Sequence, residues 1–138
     1  MAGYLRLHPE RRDATGRFEA LPETDRLRAR NYTRFAFLAG VSNWANIVPI
    51  SPPRGLPDDA SETVQGTFAK GQHHAPSWLT LDELLNFDYD QPLRFREDVR
   101  PEQCTAGTYR ELLDDDFLQA LRDLQAQGAT RLVFWFDY

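Results

Sequence analysis

Arg54, Asp58 and Asp59 stand in the string Pro53-Arg54-Gly55-Leu56-Pro57-Asp58-Asp59, and His73, His74, Ser77 and Trp78 follow in His73-His74-Ala75-Pro76-Ser77-Trp78. A solvated loop has little need for prolines, a glycine and a tryptophan, so both segments are expected to fold onto the body and hold polar groups at a surface. Three chemistries are open to them. The carboxylates and imidazoles are metal-ligand types, and His8 and Asp137 could join them if their strands are neighbours; such a set suits zinc, iron or manganese. No HExxH spacing fixes two ligands on one helical face, and adjacent histidines seldom bind one ion. Asp58 and Asp59 are therefore read first as carboxylates favouring a helix N-terminus, and no metal is assigned. Ser77 with His73 or His74 and an Asp could make a nucleophile, base and orienter, but the chain has no GxSxG elbow. Arg54 can present its planar fork to a carboxylate or phosphate of a ligand, or pair with Asp58 or Asp88 and lock its own loop; the acidic neighbours favour the lock. The sequence contains no Walker or GxGxxG loop, Cys104 lacks a His-bearing motif, and no cofactor is indicated.

These side chains belong to a chain of 138 residues with a formal net charge of -5 and a pI near 5.1. The length fits a single domain over 1–138 that buries roughly two-thirds of its unfolded surface. Acidity argues against direct nucleic-acid binding, which demands a basic patch. No apolar run approaches the roughly 18 to 20 residues of a membrane helix, and the N-terminus lacks a signal-like apolar region. With one cysteine and no disulfide framework, a soluble cytoplasmic protein is expected. The charge is uneven: Arg11, Arg12, Arg17, Arg26, Arg28, Arg30 and Arg34 make the first quarter basic. Asp82, Glu83, Asp88, Asp90 and the run Asp114 to Asp116 form an acidic flank that could meet a basic protein partner, or simply keep the domain in solution. Trp135 reads as core, Trp78 as packed with its indole N–H satisfied, and Trp44 as a candidate exposed anchor for a partner.

The elements that must position these groups are legible in outline. Tyr4 to His8 and Arg17 to Leu21 alternate apolar and polar around Asp13-Ala14-Thr15-Gly16, which predicts a β-hairpin. A charged connection leads to Asn31, a good N-cap for a helix with Tyr32, Phe35, Leu38 and Ala39 on one face and Gly40 at its stop. Residues 41–57 form an irregular loop with Trp44, Ile47 and Ile50 as apolar anchors. Asp59 with Glu62 predicts a short helix from Ala60 to Phe68, and Thr80 with Glu83 predicts a capping box for a helix from Leu81 to Phe87, stapled by Leu79 and Leu84. Thr108 with Glu111 repeats the box, and Asp116 with Gln119 offers a second start. Phe117, Leu118, Leu121 and Leu124 then make an apolar stripe that ends before Gly128. Arg131 to Tyr138 has five successive apolar positions and reads as a strand buried on both faces, paired with the N-terminal hairpin. The fold class is α+β: a small, largely antiparallel sheet packed with three to five helices.

Several blocks together resemble a widespread uncharacterised family of small bacterial and phage proteins. They are Arg30-Asn31-Tyr32, Phe35 to Ala39, Pro53 to Asp59, Ser77 to Leu85, Phe87-Asp88-Tyr89 and Val133 to Asp137. The resemblance covers nearly the whole chain but implies no particular activity. Members tend to have Val-Arg-Asn where this chain has Val41-Ser42-Asn43, and His-Ser-x-Ser-Trp where it has His74-Ala75-Pro76-Ser77-Trp78. The resemblance therefore implies loss or change of any activity using that Arg or first Ser.

Size, acidity and this company point first to a small protein-binding module of inhibitor, immunity or accessory type. The rival is a metal-assisted hydrolase or nucleotide- or phosphate-ligand enzyme built from Arg54, Asp58, Asp59, His73 and His74. Convergence of those five side chains in one pocket separates the two.

Overall fold

A computed structural model describes residues 4–22, 27, 30–71 and 73–137. Arg26 and Arg28 of the basic first quarter lie outside them, as does most of the connection between the hairpin and the first helix.

The protein is an α+β domain with a four-stranded antiparallel sheet. The alternating N-terminal segments pair as β1 (Tyr4–Arg12) and β2 (Phe18–Ala20). In their turn the Asp13 carboxylate accepts from the Thr15 hydroxyl at 2.6 Å and from the backbone N–H of Thr15 and Arg17. The C-terminal run forms β4 (Arg131–Asp137), which pairs with β1 from Tyr4 opposite Asp137 to Glu10 opposite Arg131. Its other edge takes β3 (His74–Thr80), and the strand order is β2-β1-β4-β3.

The period of two along β4 explains its unbroken apolar run. Leu132, Phe134 and Phe136 face the main core, whereas Val133 and Trp135 face a second, smaller one with Ala60 and Val64. Over the main face lie α1 (Tyr32–Ala39), α3 (Leu81–Asn86), α4 (Tyr109–Leu113) and α5 (Asp115–Ala126). Phe35 meets Phe136 edge-on, and Phe37 gathers the rings of Phe87, Tyr89, Tyr109 and Phe117 around itself. The second face is covered by α2 (Glu62–Phe68), whose Phe68 packs edge-on against Trp135.

Helix starts follow local hydrogen-bond chemistry. Asn31 caps α1, Gly40 closes it at φ 72°, and both Thr-x-x-Glu boxes form, Thr80 with Glu83 and Thr108 with Glu111. The staple pair, Leu79 and Leu84, is buried in the main core. Two starts differ from expectation. Ser61, not Asp59, caps α2, because the Asp59 carboxylate is drawn to Arg131 at 2.8 Å. Asp114, not Asp116, begins α5: held at φ 72°, it ends α4 and accepts the Phe117 N–H at 3.0 Å, so the acidic run divides residues 109–126 into two helices.

The largest difference is β3. His73 to Trp78 reads as a turn leading into a helix, yet residues 74–80 form an edge strand. Ala75 adopts φ 51°, and the register shifts between His74 and Ser77, so Ala75-Pro76 is a bulge that breaks the alternation a strand would otherwise show. The loop before α2 covers this edge. Gly55 N–H donates to the Pro76 carbonyl at 2.9 Å, Arg54 N–H to Ser77 Oγ at 3.0 Å, and Arg54 Nη1 to the Trp78 carbonyl at 3.1 Å. Edge groups that would otherwise recruit another strand are occupied.

Within the 41–57 loop Ile47 is fully buried and Ile50 packs partly against the core, but Trp44 is 76% exposed and anchors nothing. Among the described residues no helix is long and apolar enough to cross a membrane.

Candidate functional site

Where β1 ends, β2 and β4 begin and β3 runs into α3, a cleft of about 710 Å³ opens. Its floor is an ion pair that the alternation of two neighbouring strands brings together. Arg131 donates through Nε and Nη2 to Glu10 Oε1 at 2.9 and 2.6 Å, and through Nη1 to Asp59 Oδ1 at 2.8 Å. Glu10 Oε2 accepts the Ser61 N–H at 2.8 Å, so both oxygens of a carboxylate with no solvent exposure are satisfied. The bond from Arg131 holds the Asp59 carboxyl below its usual range.

The walls alternate guanidinium planes with aromatic rings. Arg131 Cζ sits 3.5 Å from the centre of Phe18 and 5.9 Å from that of Trp78; Arg12 lies over Phe18 at 4.3 Å and Arg54 over Trp78 at 4.7 Å. Arg54 grips Glu83 with two parallel bonds, Nη1 to Oε1 at 2.9 Å and Nη2 to Oε2 at 2.5 Å. That contact, with the Thr80 N–H and hydroxyl, pulls the Glu83 carboxyl down to about 2 and raises the Arg54 guanidinium. The expected lock is therefore real, but its partner is Glu83 rather than Asp58 or Asp88.

Of the remaining charges, Arg12 donates to the Gly16 carbonyl at 2.6 Å. Asp58 and Asp82 line the cleft, are exposed, and their side chains have no hydrogen bond or ion pair among the described residues. Arg54 with Glu83 is neutral, Arg131 with Glu10 and Asp59 carries one net negative charge, and Arg12 offsets it. Asp58 and Asp82 leave the site acidic.

The cleft thus unites Arg54, Asp58, Asp59, Trp78 and Asp82 but not the histidines. His73 lies at the far end of β4, where its Nδ1 meets Asp137 Oδ1 at 2.6 Å and its ring packs on Phe68 and Trp135. Arg131 and Asp137 occupy opposite ends of that strand, about 20 Å apart at the rise of an extended chain. Burial alone would raise the Asp137 carboxyl, but bonds from Arg6 and His73 hold it below its usual value. His8 packs on Trp135 with ring centres 4.8 Å apart, and His74 is exposed on β3. Ser77 is buried and accepts the Arg54 N–H, so it does not make the Ser-His pairing weighed above. Among the described residues no three His, Cys, Asp or Glu side chains gather as a metal would require.

The acidic flank is not one open surface either. Glu83 is held by Arg54, Asp90 by Arg110 Nε at 2.7 Å, and Asp114 and Asp116 lie 3.4 and 3.8 Å from Arg34. Asp88 accepts the Asp90 N–H and, with Asp90, Arg110 and Arg122, lines a separate cavity of about 420 Å³.

Arg12, Phe18, Glu10 and Arg131 were not among the expected site residues. Glu10 and Arg131 carry a signal of their own: a charge inside or at the start of a strand otherwise buried needs a buried counter-charge. No protein family, curated protein or solved structure matches the chain.

Proposed function

We propose that the protein is a small binding module, of inhibitor, immunity or accessory type, whose cleft receives a positively charged part of a protein partner. The disposition of charge carries this reading: the guanidiniums of Arg54 and Arg131 are turned inward onto carboxylates, while Asp58 and Asp82 are left exposed and unpaired in a preformed concave site. A cationic side chain entering there gains two carboxylates without breaking an internal pair. The enzyme reading draws on the same gathering of Arg54, Asp58 and Asp59, but His73 and Asp137 lie about 20 Å along β4 from the cleft. The family resemblance is consistent with an accessory role in bacteria or their phages, and the cytoplasm suits a chain with a single, exposed cysteine.

Titration with hexa-arginine and with hexa-glutamate, followed by tryptophan emission and calorimetry, tests the reading. Hexa-arginine is expected to bind with an affinity that falls as salt rises, and Asp58→Asn with Asp82→Asn to weaken it by about tenfold. Equal binding of the two peptides, or no loss in the double variant, would remove the cleft as a cation site.

A further inference from the structure

We infer that the cleft accepts a second copy of this chain through Trp44, which rests on the reading of the cleft just given and names its occupant.

Trp44 and Tyr4 are the large apolar side chains left exposed among the described residues, at 76% and 54%. Tyr4 is covered on one face by Arg30. Trp44 has no such cover, and the backbone beneath it is held from both sides. Ser42 and Asn46 adopt φ 49° and 59°, left-handed values that Asn tolerates and Ser rarely takes. The Asn43 side chain donates to the Ile47 carbonyl at 2.8 Å and accepts the Ile47 N–H at 3.1 Å. Arg96 donates to Asn46 through its side chain at 2.7 Å and its backbone at 3.0 Å, and Val48 N–H donates to the Arg94 carbonyl at 2.8 Å. The backbone that presents the indole is braced in this way and loses little conformational freedom on docking, as suits an aromatic anchor at a protein interface.

The cleft has what such an anchor needs. Arg12 and Arg54 bring guanidinium planes to its walls, and an indole is the side chain whose face attracts them most. Asp58 or Asp82 can accept the indole N–H. Arg94, exposed and with no side-chain partner among the described residues, stands on the segment that braces the Trp44 turn, and it supplies the positive charge that the cleft's carboxylates lack. A cleft of about 710 Å³ has ample room for one indole.

Knob and hole are different patches of one surface, so the contact is heterologous: copies join head to tail and close into a ring or extend as an open chain. One side chain and its collar cover less than a standard interface, so the association is weak and concentration-dependent.

Sedimentation equilibrium from micromolar to millimolar chain concentration reads it out. The mean mass of the wild type is expected to climb with concentration, while Trp44→Ala, and separately Asp58→Asn with Asp82→Asn, stay monomeric. Both variants alter exposed side chains, so their folds are expected to hold. Mixing them is the sharper arm, because the first keeps its cleft and the second keeps its knob: the mixture should form a one-to-one dimer and stop there. A wild type that stays monomeric, a Trp44→Ala protein that associates like wild type, or a mixture without dimer would each overturn the inference. If the wild type is monomeric while hexa-arginine still binds the cleft, self-association fails and the cation site stands. If copies associate through Trp44 but hexa-arginine does not bind, the cation site fails instead.

Discussion

The two ends of β4 put polar groups on the same face of the same strand and treat them in opposite ways. At the Arg131 end every oxygen of the buried Glu10 carboxylate has a donor, and the guanidinium is shared between two carboxylates and two rings. At the Asp137 end His73 Nδ1 is bonded, but His73 Nε2 and Trp135 Nε1 are buried with no partner among the described residues. The first end is a rigid, charged wall; the second depends on ring packing and tolerates unsatisfied nitrogens. A site that must keep its shape when a charged ligand arrives belongs at the first end, since satisfied buried networks fix geometry and half-satisfied ones do not.

Deleting the centre of each end should separate them. Trp135→Ala is expected to cost about 3–5 kcal/mol, through a cavity the small second core cannot refill. Arg131→Met should cost a similar 3–5 kcal/mol for another reason, a bare buried Glu10. Adding Glu10→Met to the second variant should recover most of the loss, whereas no polar partner exists whose removal rescues the first. Chemical denaturation of the three proteins measures this. An Arg131→Met protein with a wild-type midpoint would mean that Glu10 finds water or another donor.

A smaller effect probes the covered edge beside the cleft. Arg54→Ala should cost about 1–2 kcal/mol and speed hydrogen exchange at Gly55, because it removes the guanidinium from the Trp78 carbonyl and leaves the Glu83 carboxylate with Thr80 alone. The same pair has a pH signature. The folded Glu83 value of about 2 lies below its ordinary 4.5, so its contribution is complete above about pH 4.5 and is lost as pH falls towards 2. Because the carboxylate is partly exposed, solvent screening keeps this contribution modest. Denaturation midpoints across that range should fall less steeply in Glu83→Gln than in the wild type; identical slopes would mean the pair does not form in solution.

The smallest expected change is at the unsatisfied end. Trp135→Phe removes the orphaned N–H along with some ring volume, and the two should nearly cancel, leaving less than about 1 kcal/mol. If Phe costs as much as Ala at this position, the indole nitrogen has a partner after all.

What the chain discloses in its sequence is what short-range chemistry decides. The two Thr-x-x-Glu boxes, Gly40 and the Asp13 turn are settled within four or five residues and were readable as such. β4 was readable because its apolar run admits little else. Interactions at long separation defeated the reading. Asp59 has the look of a helix cap until Arg131 claims it, and His74 to Thr80 loses its strand signature to a bulge that makes sense only once Gly55 docks on it. The cleft divides the same way: Arg54, Asp58, Asp59 and Trp78 come from the turn-rich segments that drew attention, whereas Arg12, Phe18 and Arg131 arrive from the opposite ends of the chain.

The bond between Glu10 and Arg131 also bears on how the sheet assembles. The two residues sit directly opposite in the pairing of β1 with β4. A slip of one position would turn them to opposite faces of the sheet and set the charge of Glu10 against an apolar neighbour. Misaligned pairings that hydrophobic collapse alone would accept thus become costly, and the first and last strands are steered to one alignment. The ion pair that shapes the cleft in the finished molecule serves, during folding, as a proofreading step on the sheet.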